Sequence, residues 1–265
     1  MGRSGGPARP ERRRINFRSC SGYYLGRVIA AVHLGSPARR KARTIPSVFV
    51  VALLAIAGCS TLQVPAPVEL ARKGVARVVV RRTDARLQAG SAGIVGQDGL
   101  LVTNAHVVVD DDGRPIEDLF VFLPAGAGIV RCAARLIALS STSGLDLALL
   151  KAVNPPPGLT VLELSVDPVA PGTRIFIVGH PDAQPETIVS AGRLVGVVRD
   201  EPFLRAEPLL REGESGSPLL DAQGRVVGVG RDVEPGPNPP STAYTSAISG
   251  RALKRWLREA GFTGR

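Results

Sequence analysis

Three separated segments of the sequence carry the side chains of a nucleophilic catalyst. Ser215 lies in Gly-Glu-Ser-Gly-Ser-Pro-Leu, His106 ends Thr-Asn-Ala-His, and Asp146 lies in Gly-Leu-Asp-Leu-Ala-Leu-Leu. A hydroxyl is a poor nucleophile at neutral pH unless a neighbouring base removes its proton. A carboxylate that binds the second ring nitrogen of a histidine base fixes its tautomer and orientation. The sequence therefore predicts His106 as base, Asp146 as its orienting carboxylate and Ser215 as nucleophile.

The glycines around the serine predict a second element of the same chemistry. Stabilising the oxyanion of an acyl-transfer intermediate requires backbone N–H groups that converge on one point. Such a turn needs a residue without a Cβ, because ordinary side chains obstruct it. We therefore expect the N–H groups of Gly213 and Ser215 to form an oxyanion hole.

Other polar residues offer rival interpretations of the site. Ser217 precedes a proline and lacks the upstream Gly-x spacing of Ser215, and the acidic run 110–112 is predicted to be a solvated turn. His180, in Gly-His-Pro-Asp, is predicted to be a solvated loop residue. Two histidines after residue 58, far apart and without His-Glu-x-x-His, do not have the spacing of a common zinc site. We expect no metal and no cofactor.

The three segments together resemble those of the chymotrypsin-like serine peptidases, most closely the HtrA/Deg-type and glutamyl-endopeptidase-like branches. Residues 90–108 look like the strand–turn–strand that leads into the catalytic histidine of that group, and the resemblance covers roughly residues 76–260. The order His, Asp, Ser along the chain is different from the orders in subtilisins and α/β-hydrolases. The resemblance implies two six-stranded antiparallel β-barrels with the triad in the cleft between them, and hydrolysis of polypeptides through an acyl-enzyme.

The chain departs from the family pattern at two positions near the nucleophile. Residue 217 is Ser where HtrA-type proteins have Gly, and residue 214 is Glu where Asn or Asp is usual. The family's spacing implies that Leu209 forms the base of the primary substrate pocket, where trypsin-like enzymes that cleave after Lys or Arg have an acidic group. An apolar residue at the base of this pocket favours substrates with a small or medium apolar side chain at the cleaved bond. Few residues follow the terminal helix, so we expect no PDZ domain.

The net charge of +10 comes from the first 58 residues. This segment holds 11 of the 33 basic residues and one of the 23 acidic residues, which leaves 22 of each in the remainder. A domain without net charge lacks the basic surface that phosphate binding requires, so a nucleic-acid partner is excluded.

The same leader has the pattern of a secretion signal. Basic residues at 39–43 precede an apolar run of about ten residues, too short to span a bilayer as a helix, that ends in Ile-Ala-Gly-Cys59. This ending resembles the bacterial lipobox, which implies a diacylated Cys59 as mature N-terminus; the alternative is an ordinary signal peptide with an incidental cysteine. Residues 59–75 are then a lipidated tether. Ser60 is not the Asp of an inner-membrane retention signal, so we expect the outer membrane, facing the periplasm.

The leader itself is longer than such a signal requires. Residues 1–35 are rich in Arg, Gly and Pro, and Met1 is the only methionine. These features favour a translation start nearer Val28 or Val32.

The remainder, 76–265, is predicted to be one all-β protease domain with a C-terminal helix. Short runs of Val, Ile and Leu separated by Gly, Pro and Asp are typical of a sandwich or barrel. Ser249 is a good N-cap for a helix whose apolar stripe includes Trp256, which we expect to pack on the second barrel. Cys132 is expected to be a core residue rather than a nucleophile. The strands are predicted at Val78–Arg82, Ala92–Val95, Leu100–Thr103, Leu119–Leu123, Ile129–Ile137, Leu147–Val153, Arg174–Val178, Thr187–Val198, Pro218–Leu220, Val226–Gly230 and Ala243–Ser246.

Two functions from different classes are compatible with these residues. The first is a lipid-anchored serine endopeptidase of the cell envelope. The second is a catalytically inactive protein of the protease fold that binds envelope polypeptides. Because His106, Asp146, Ser215 and Gly213 are all present, the sequence favours the enzyme.

Overall fold

The first half of the chain folds into a closed six-stranded antiparallel barrel. The computed structural model of the protein describes residues 63–141, 144–197, 202–236 and 243–262. The strands follow the barrel in the order β1-β2-β3-β6-β5-β4. They are β1 Val75–Arg81, β2 Leu87–Gly96, β3 Leu100–Asn104, β4 Leu119–Ala125, β5 Gly128–Leu139 and β6 Leu147–Ala152.

The second half forms another closed barrel, with the order β10-β11-β12-β9-β8-β7. The predicted fold of two six-stranded barrels and a C-terminal helix is confirmed. The strands are β7 Arg174–Gly179, β8 Ile188–Val197, β9 Phe203–Glu207, β10 Pro218–Leu220, β11 Val226–Pro235 and β12 Ala243–Ser249.

Alternating side chains fill each barrel. In β1, Ala76, Val78 and Val80 are fully buried while the residues between them are partly exposed, as the two-residue period of a strand requires. The same period places Ile175 and Ile177 of β7 in the core of the second barrel. Cys132 of β5 is buried in the first core, as predicted, and burial raises the pKa of its thiol.

A third apolar cluster joins the barrels to the C-terminal helix. It includes Leu149 of the first barrel and Phe176 of the second, together with Leu253 and Trp256 of the helix. The packing predicted for Trp256 is therefore confirmed. This layer fixes the two barrels against each other, so that loops from both meet at one cleft.

In the described residues, three α-helices accompany the strands. Helix α1 spans Ala66–Ala71, helix α2 spans Ala105–Val108, and helix α3 spans Gly250–Glu259, where the Ser249 hydroxyl accepts a hydrogen bond from the Ala252 N–H as predicted. Within the described residues, none of the helices has the length and apolar character needed to cross a membrane.

The structure corrects two predictions about the elements. Residues 66–74, predicted as part of a tether, form α1 and a 3₁₀ turn, and Val68 is fully buried in the layer between the barrels. Strand β9 was not predicted, because Arg205 and Glu207 interrupt its apolar residues; in the structure Leu204 and Ala206 enter the second core and Phe203 packs on the layer between the barrels. Cys59 and the leader lie outside the described residues.

Candidate active site

Asp146 is held rigidly at the turn that enters β6. It has a left-handed backbone (φ +57°), and its carbonyl accepts hydrogen bonds from the Ala105 N–H at 3.1 Å and from the Asn104 Nδ2 at 3.0 Å. Its side chain is only 4% exposed. Because these contacts anchor the backbone, the carboxylate is fixed before any ligand binds.

Both carboxylate oxygens of Asp146 bind one residue, His106. Oδ1 accepts from the His106 backbone N–H at 2.9 Å, and Oδ2 lies 2.6 Å from Nδ1 of the ring. His106 stands in the four-residue helix α2 directly after β3, and its side chain is 36% exposed. The carboxylate therefore occupies one ring nitrogen, which must carry the proton, and leaves Nε2 as the acceptor for a reacting group.

Ser215 lies in the turn that precedes β10 of the second barrel. Its carbonyl accepts from the Ser91 N–H at 2.8 Å, which ties the turn to β2 of the first barrel. Its hydroxyl donates to the Arg231 carbonyl over 3.4 Å and makes no hydrogen bond to His106 in this conformation. Ser215 and His106 nevertheless line the same cleft, of about 710 Å³.

The amides around Ser215 follow a distinctive pattern. Those of Glu214, Gly216 and Ser217 donate to carbonyls of the fold. In the described part of the chain, the amides of Gly213 and Ser215 have no hydrogen-bond acceptor. These two N–H groups are the ones that the sequence predicted for the oxyanion hole.

The orientation of the Gly213 amide is set by the peptide that contains it. The Glu212 carbonyl accepts from the Asp182 N–H at 2.7 Å, and in a trans peptide the N–H points the opposite way from the carbonyl. Gly213 has φ +83°, and a Cβ there would lie 2.5 Å from the His180 carbonyl oxygen. Only glycine fits this position.

Ser91 contributes a contact that the sequence did not reveal. Its hydroxyl donates to the Gly213 carbonyl at 2.9 Å and accepts from the His180 N–H at 2.9 Å, and the residue is fully buried. Ser91, which belongs to the first barrel, therefore holds the peptide that joins Gly213 to Glu214. A lone serine among the small and apolar residues of Gly-Ser-Ala-Gly-Ile-Val was the signal available in the sequence.

His180 does not lie in a solvated loop, as the sequence had predicted. It is 3% exposed, its Nδ1 lies 3.1 Å from the Gln184 carbonyl, and burial lowers its pKa below the ordinary value of 6.5. The positive charge of Arg77 lowers this pKa further, against the carbonyl contacts that raise it. His180 is therefore a buried structural residue next to Gly213, and its lowered pKa favours the neutral ring.

The other rivals are placed away from the reacting groups. Ser217 is fully buried, its hydroxyl has no hydrogen-bond partner among the described residues, and it faces Gly179, where a Cβ would overlap it. Asp110 uses its carboxylate to cap its own turn, accepting from the amides of Asp112 and Arg114. The carboxylate that contacts His106 is that of Asp146.

Leu209 lines a second cavity, formed with Gly192, Glu207 and Pro208, and not the cleft that holds Ser215. Its neighbour Leu210 lies closer to the nucleophile. A Cβ on Gly230 would be only 3.0 Å from a Leu210 methyl, and Gly230 immediately precedes Arg231, which receives the Ser215 hydroxyl. The structure therefore places Leu209, the residue predicted from the family's spacing, outside the cleft lined by Ser215, and the leucine packed near that cleft is Leu210.

The cleft is flanked by arginines of the β1–β2 hairpin. Arg77 stacks on Phe122, with its guanidinium carbon 4.3 Å from the ring centre, and donates to the Ala183 carbonyl at 2.7 Å. The exposed carboxylates of Asp182 and Glu212 also line the cleft. Among the described residues, no cluster of His, Cys, Asp and Glu has the arrangement to hold a metal ion.

One barrel carries a histidine bound by a carboxylate, and the other carries a serine next to two amides that have no acceptor in the described residues. This arrangement defines the class of protein. The sequence pattern of the Trypsin-like peptidase domain family matches residues 90–229, more than half of the chain. The chain belongs to this family.

Curated relatives share part of the sequence. The magnetosome formation protease MamE of Paramagnetospirillum magneticum is 34% identical over 148 residues, which cover 53% of this chain and 19% of the relative. Human serine protease HTRA3 is 28% identical over 190 residues, which cover 65% of this chain and 40% of the relative. A probable periplasmic serine endoprotease DegP-like of Brucella suis is 30% identical over 146 residues, covering 53% and 26%. The chain spans less than half the length of these relatives.

Solved structures share the fold. The HtrA-type protease AlgW with tripeptide superposes with a TM-score of 0.60 at 24% identity, covering 74% of this chain and 64% of that chain. The serine endoprotease from Yersinia pestis superposes with a TM-score of 0.59 at 24% identity, covering 75% of this chain and 66% of that chain. At this identity the likeness establishes the architecture alone.

Proposed function

We propose that this chain is a serine endopeptidase that hydrolyses peptide bonds of envelope proteins through an acyl-enzyme. The observation that carries the proposal is the pair of hydrogen bonds by which Asp146 holds His106, in a cleft that Ser215 shares. Family membership supports the reaction class, and the similarity to a probable periplasmic serine endoprotease supports the compartment.

In the proposed reaction, His106 takes the proton of Ser215 as the hydroxyl attacks the scissile carbonyl. The weak 3.4 Å bond to the Arg231 carbonyl is readily given up, so a rotation about χ1 of Ser215 transfers the hydroxyl toward Nε2. Catalytic hydrogen bonds often tighten only when substrate binds. Asp146 keeps Nδ1 protonated and stabilises the imidazolium that forms.

The tetrahedral intermediate places a negative charge next to the amides of Gly213 and Ser215. Because both N–H groups lack an acceptor in the described residues, they can bind the oxyanion without first breaking another hydrogen bond. His106 then protonates the leaving amine, the C–N bond breaks, and a water activated by His106 hydrolyses the acyl-enzyme. The apolar Leu210, which packs beside Gly230, favours an apolar side chain over Lys or Arg at the cleaved bond.

The location belongs to the same proposal. Diacylated Cys59 would anchor the domain to the outer membrane, facing the periplasm, because two acyl chains hold a protein on a bilayer where one does not. Membrane fractionation tests this separately from the chemistry.

Covalent labelling tests the reaction. A fluorophosphonate should modify Ser215 in the wild-type protein, and casein should be cleaved. Ser215→Ala should remove both signals, and His106→Ala should reduce both to a similar extent because the groups act as a unit. A folded wild-type protein that binds unfolded polypeptides without labelling or cleavage would instead support the inactive binding protein.

A further inference from the structure

Glu214, the residue directly before the proposed nucleophile, is a buried carboxylate that the reaction itself does not use. It is 2% exposed, although an ionised carboxylate is rarely fully buried without partners. Its position between Gly213 and Ser215 places it between the two amides proposed to bind the oxyanion. The question is what holds this charge there.

The partner is within the same turn, at Arg211. The Arg211 backbone N–H donates to Oε2 of Glu214 at 2.8 Å, and Nη2 of Arg211 lies 3.3 Å from Oε1. In return, the Glu214 N–H donates to the Arg211 carbonyl at 3.0 Å. The two residues therefore close a ring of reciprocal hydrogen bonds around Glu212 and Gly213.

This ring acts on the amides that matter for catalysis. Because residues 211 and 214 are joined, hydrogen bonds at both ends of the segment restrain the backbone dihedral angles of Glu212 and Gly213. The Glu214 carbonyl also accepts from the Ser217 N–H at 2.9 Å, which extends the constraint past Ser215. A rigid donor pair needs no reorganisation when the oxyanion forms.

We propose that Glu214 is a positioning residue. Together with Arg211, it permanently keeps residues 211–215, here called the oxyanion turn, in the conformation in which the amides of Gly213 and Ser215 can bind the oxyanion. The inference rests on the proposed peptidase activity and adds its regulation. The turn carries its own stabilising ion pair, so competence requires neither an activating ligand nor a cut in the chain.

The test compares variants that remove the ring to different degrees. Glu214→Ala should lower kcat about 100-fold, the lower end of the effect of losing an oxyanion donor, while KM changes less than about threefold. Glu214→Gln retains an acceptor for the Arg211 N–H and should recover activity to within about tenfold of wild type. Arg211→Ala keeps the backbone contact and should lose about three- to tenfold.

The chain provides a matched control in α1. Glu69 and Arg72 form a pair with the same three-residue spacing and the same 3.3 Å separation, but both side chains are 45% exposed. Glu69→Ala should leave kcat and KM unchanged, since an exposed pair contributes little. Thermal unfolding of every variant identifies losses that are due to instability.

Two further measurements separate positioning from a structural role. The affinity of a peptide aldehyde, whose hemiacetal oxygen occupies the oxyanion site, should fall in parallel with kcat across the series. Hydrogen exchange of the 211–217 amides should accelerate in Glu214→Ala while the barrel strands stay protected, and this readout does not depend on activity.

The outcomes are distinguishable. A folded Glu214→Ala protein with kcat within threefold of wild type, or with unchanged exchange in 211–217, would overturn the positioning role. If Glu214→Ala does not fold, wild-type kcat and exchange in both Glu214→Gln and Arg211→Ala would overturn it equally. Absence of labelling and cleavage in the wild type would defeat the peptidase proposal, and the exchange experiment would still decide whether the ring holds the turn.

Discussion

Replacing Asp146 by Asn changes one oxygen to an NH₂ group and leaves the shape of the site intact. The carboxylate now accepts two hydrogen bonds from His106, one from the backbone N–H and one from Nδ1–H. An amide can accept only one of them. Either its NH₂ faces the backbone N–H, which leaves two donors opposed in a buried site, or it faces Nδ1.

The second arrangement is the more stable of the two. Opposing two buried donors costs roughly 1–3 kcal/mol, and the backbone N–H cannot become an acceptor, whereas Nδ1 can. The ring therefore shifts its proton to Nε2, the nitrogen proposed to accept the Ser215 proton. The base is then in the wrong tautomer. A loss on the order of 10⁴-fold in kcat is expected, equivalent to about 5.5 kcal/mol of transition-state stabilisation.

The assay measures kcat and KM for a fluorogenic peptide, together with the thermal midpoint of the variant. Asp112→Asn is the matched control, because it makes the same chemical change in the exposed acidic turn after α2, where the carboxylate binds Arg114. A folded Asp146→Asn protein within tenfold of wild-type kcat would refute the assignment of Asp146. A comparable loss in Asp112→Asn would show that the effect is one of net charge rather than of tautomer.

Three further expectations concern the support of the site and its location. Ser91→Ala should lower the free energy of unfolding by about 2–4 kcal/mol, measured in urea, because it leaves the Gly213 carbonyl and the His180 N–H buried without their partner, and kcat should fall with it. Burial lowers the pKa of His180 in the folded state, so below about pH 6.5 the unfolded state binds a proton more readily than the folded state. The free energy of unfolding should therefore fall as the pH drops below this value. In urea titrations, His180→Gln should make this dependence on pH weaker. Cys59→Ser should move the protein from the membrane to the soluble fraction, and equal sedimentation of both proteins with membranes would contradict the anchor.

The segments with chemical motifs were the ones that the sequence predicted best. An ordered His, Asp and Ser, each in its own small-residue or apolar setting, is constrained by reaction geometry, and the structure brings His106 and Asp146 into direct contact. Gly99 and Gly224, which follow Asp98 and Gln223 in the sequence, have the positive φ that tight hairpin turns require, so these turns are also encoded locally.

The roles of residues that act through contacts distant in the sequence could not be predicted from the sequence. Ser91 meets Gly213 across 122 positions of the chain, and the pair exists only because the two barrels pack together. His180 appeared to be a solvated turn residue for the same reason, since nothing local in Gly-His-Pro-Asp reveals that the first barrel covers it. The short helix α1 was hidden because Pro65 and Pro67 suggested a tether, whereas Pro at the first turn is compatible with a helix.

The segment before β1 bears on how the oxyanion turn is ordered. In digestive relatives, a newly cut N-terminus inserts beside the nucleophile and pairs with the preceding carboxylate. Here Val75–Arg81 is paired on both edges, with β2 and β4, and α1 packs between the barrels through Val68. A cut in this stretch would fall in a paired barrel strand or in the segment that carries the buried Val68. The carboxylate is already bound by Arg211, so an inserted amine would have to displace an existing ion pair. The fold therefore favours a turn ordered by its own contacts, and a chain that starts before Pro65 with extra N-terminal residues retains everything that this order requires.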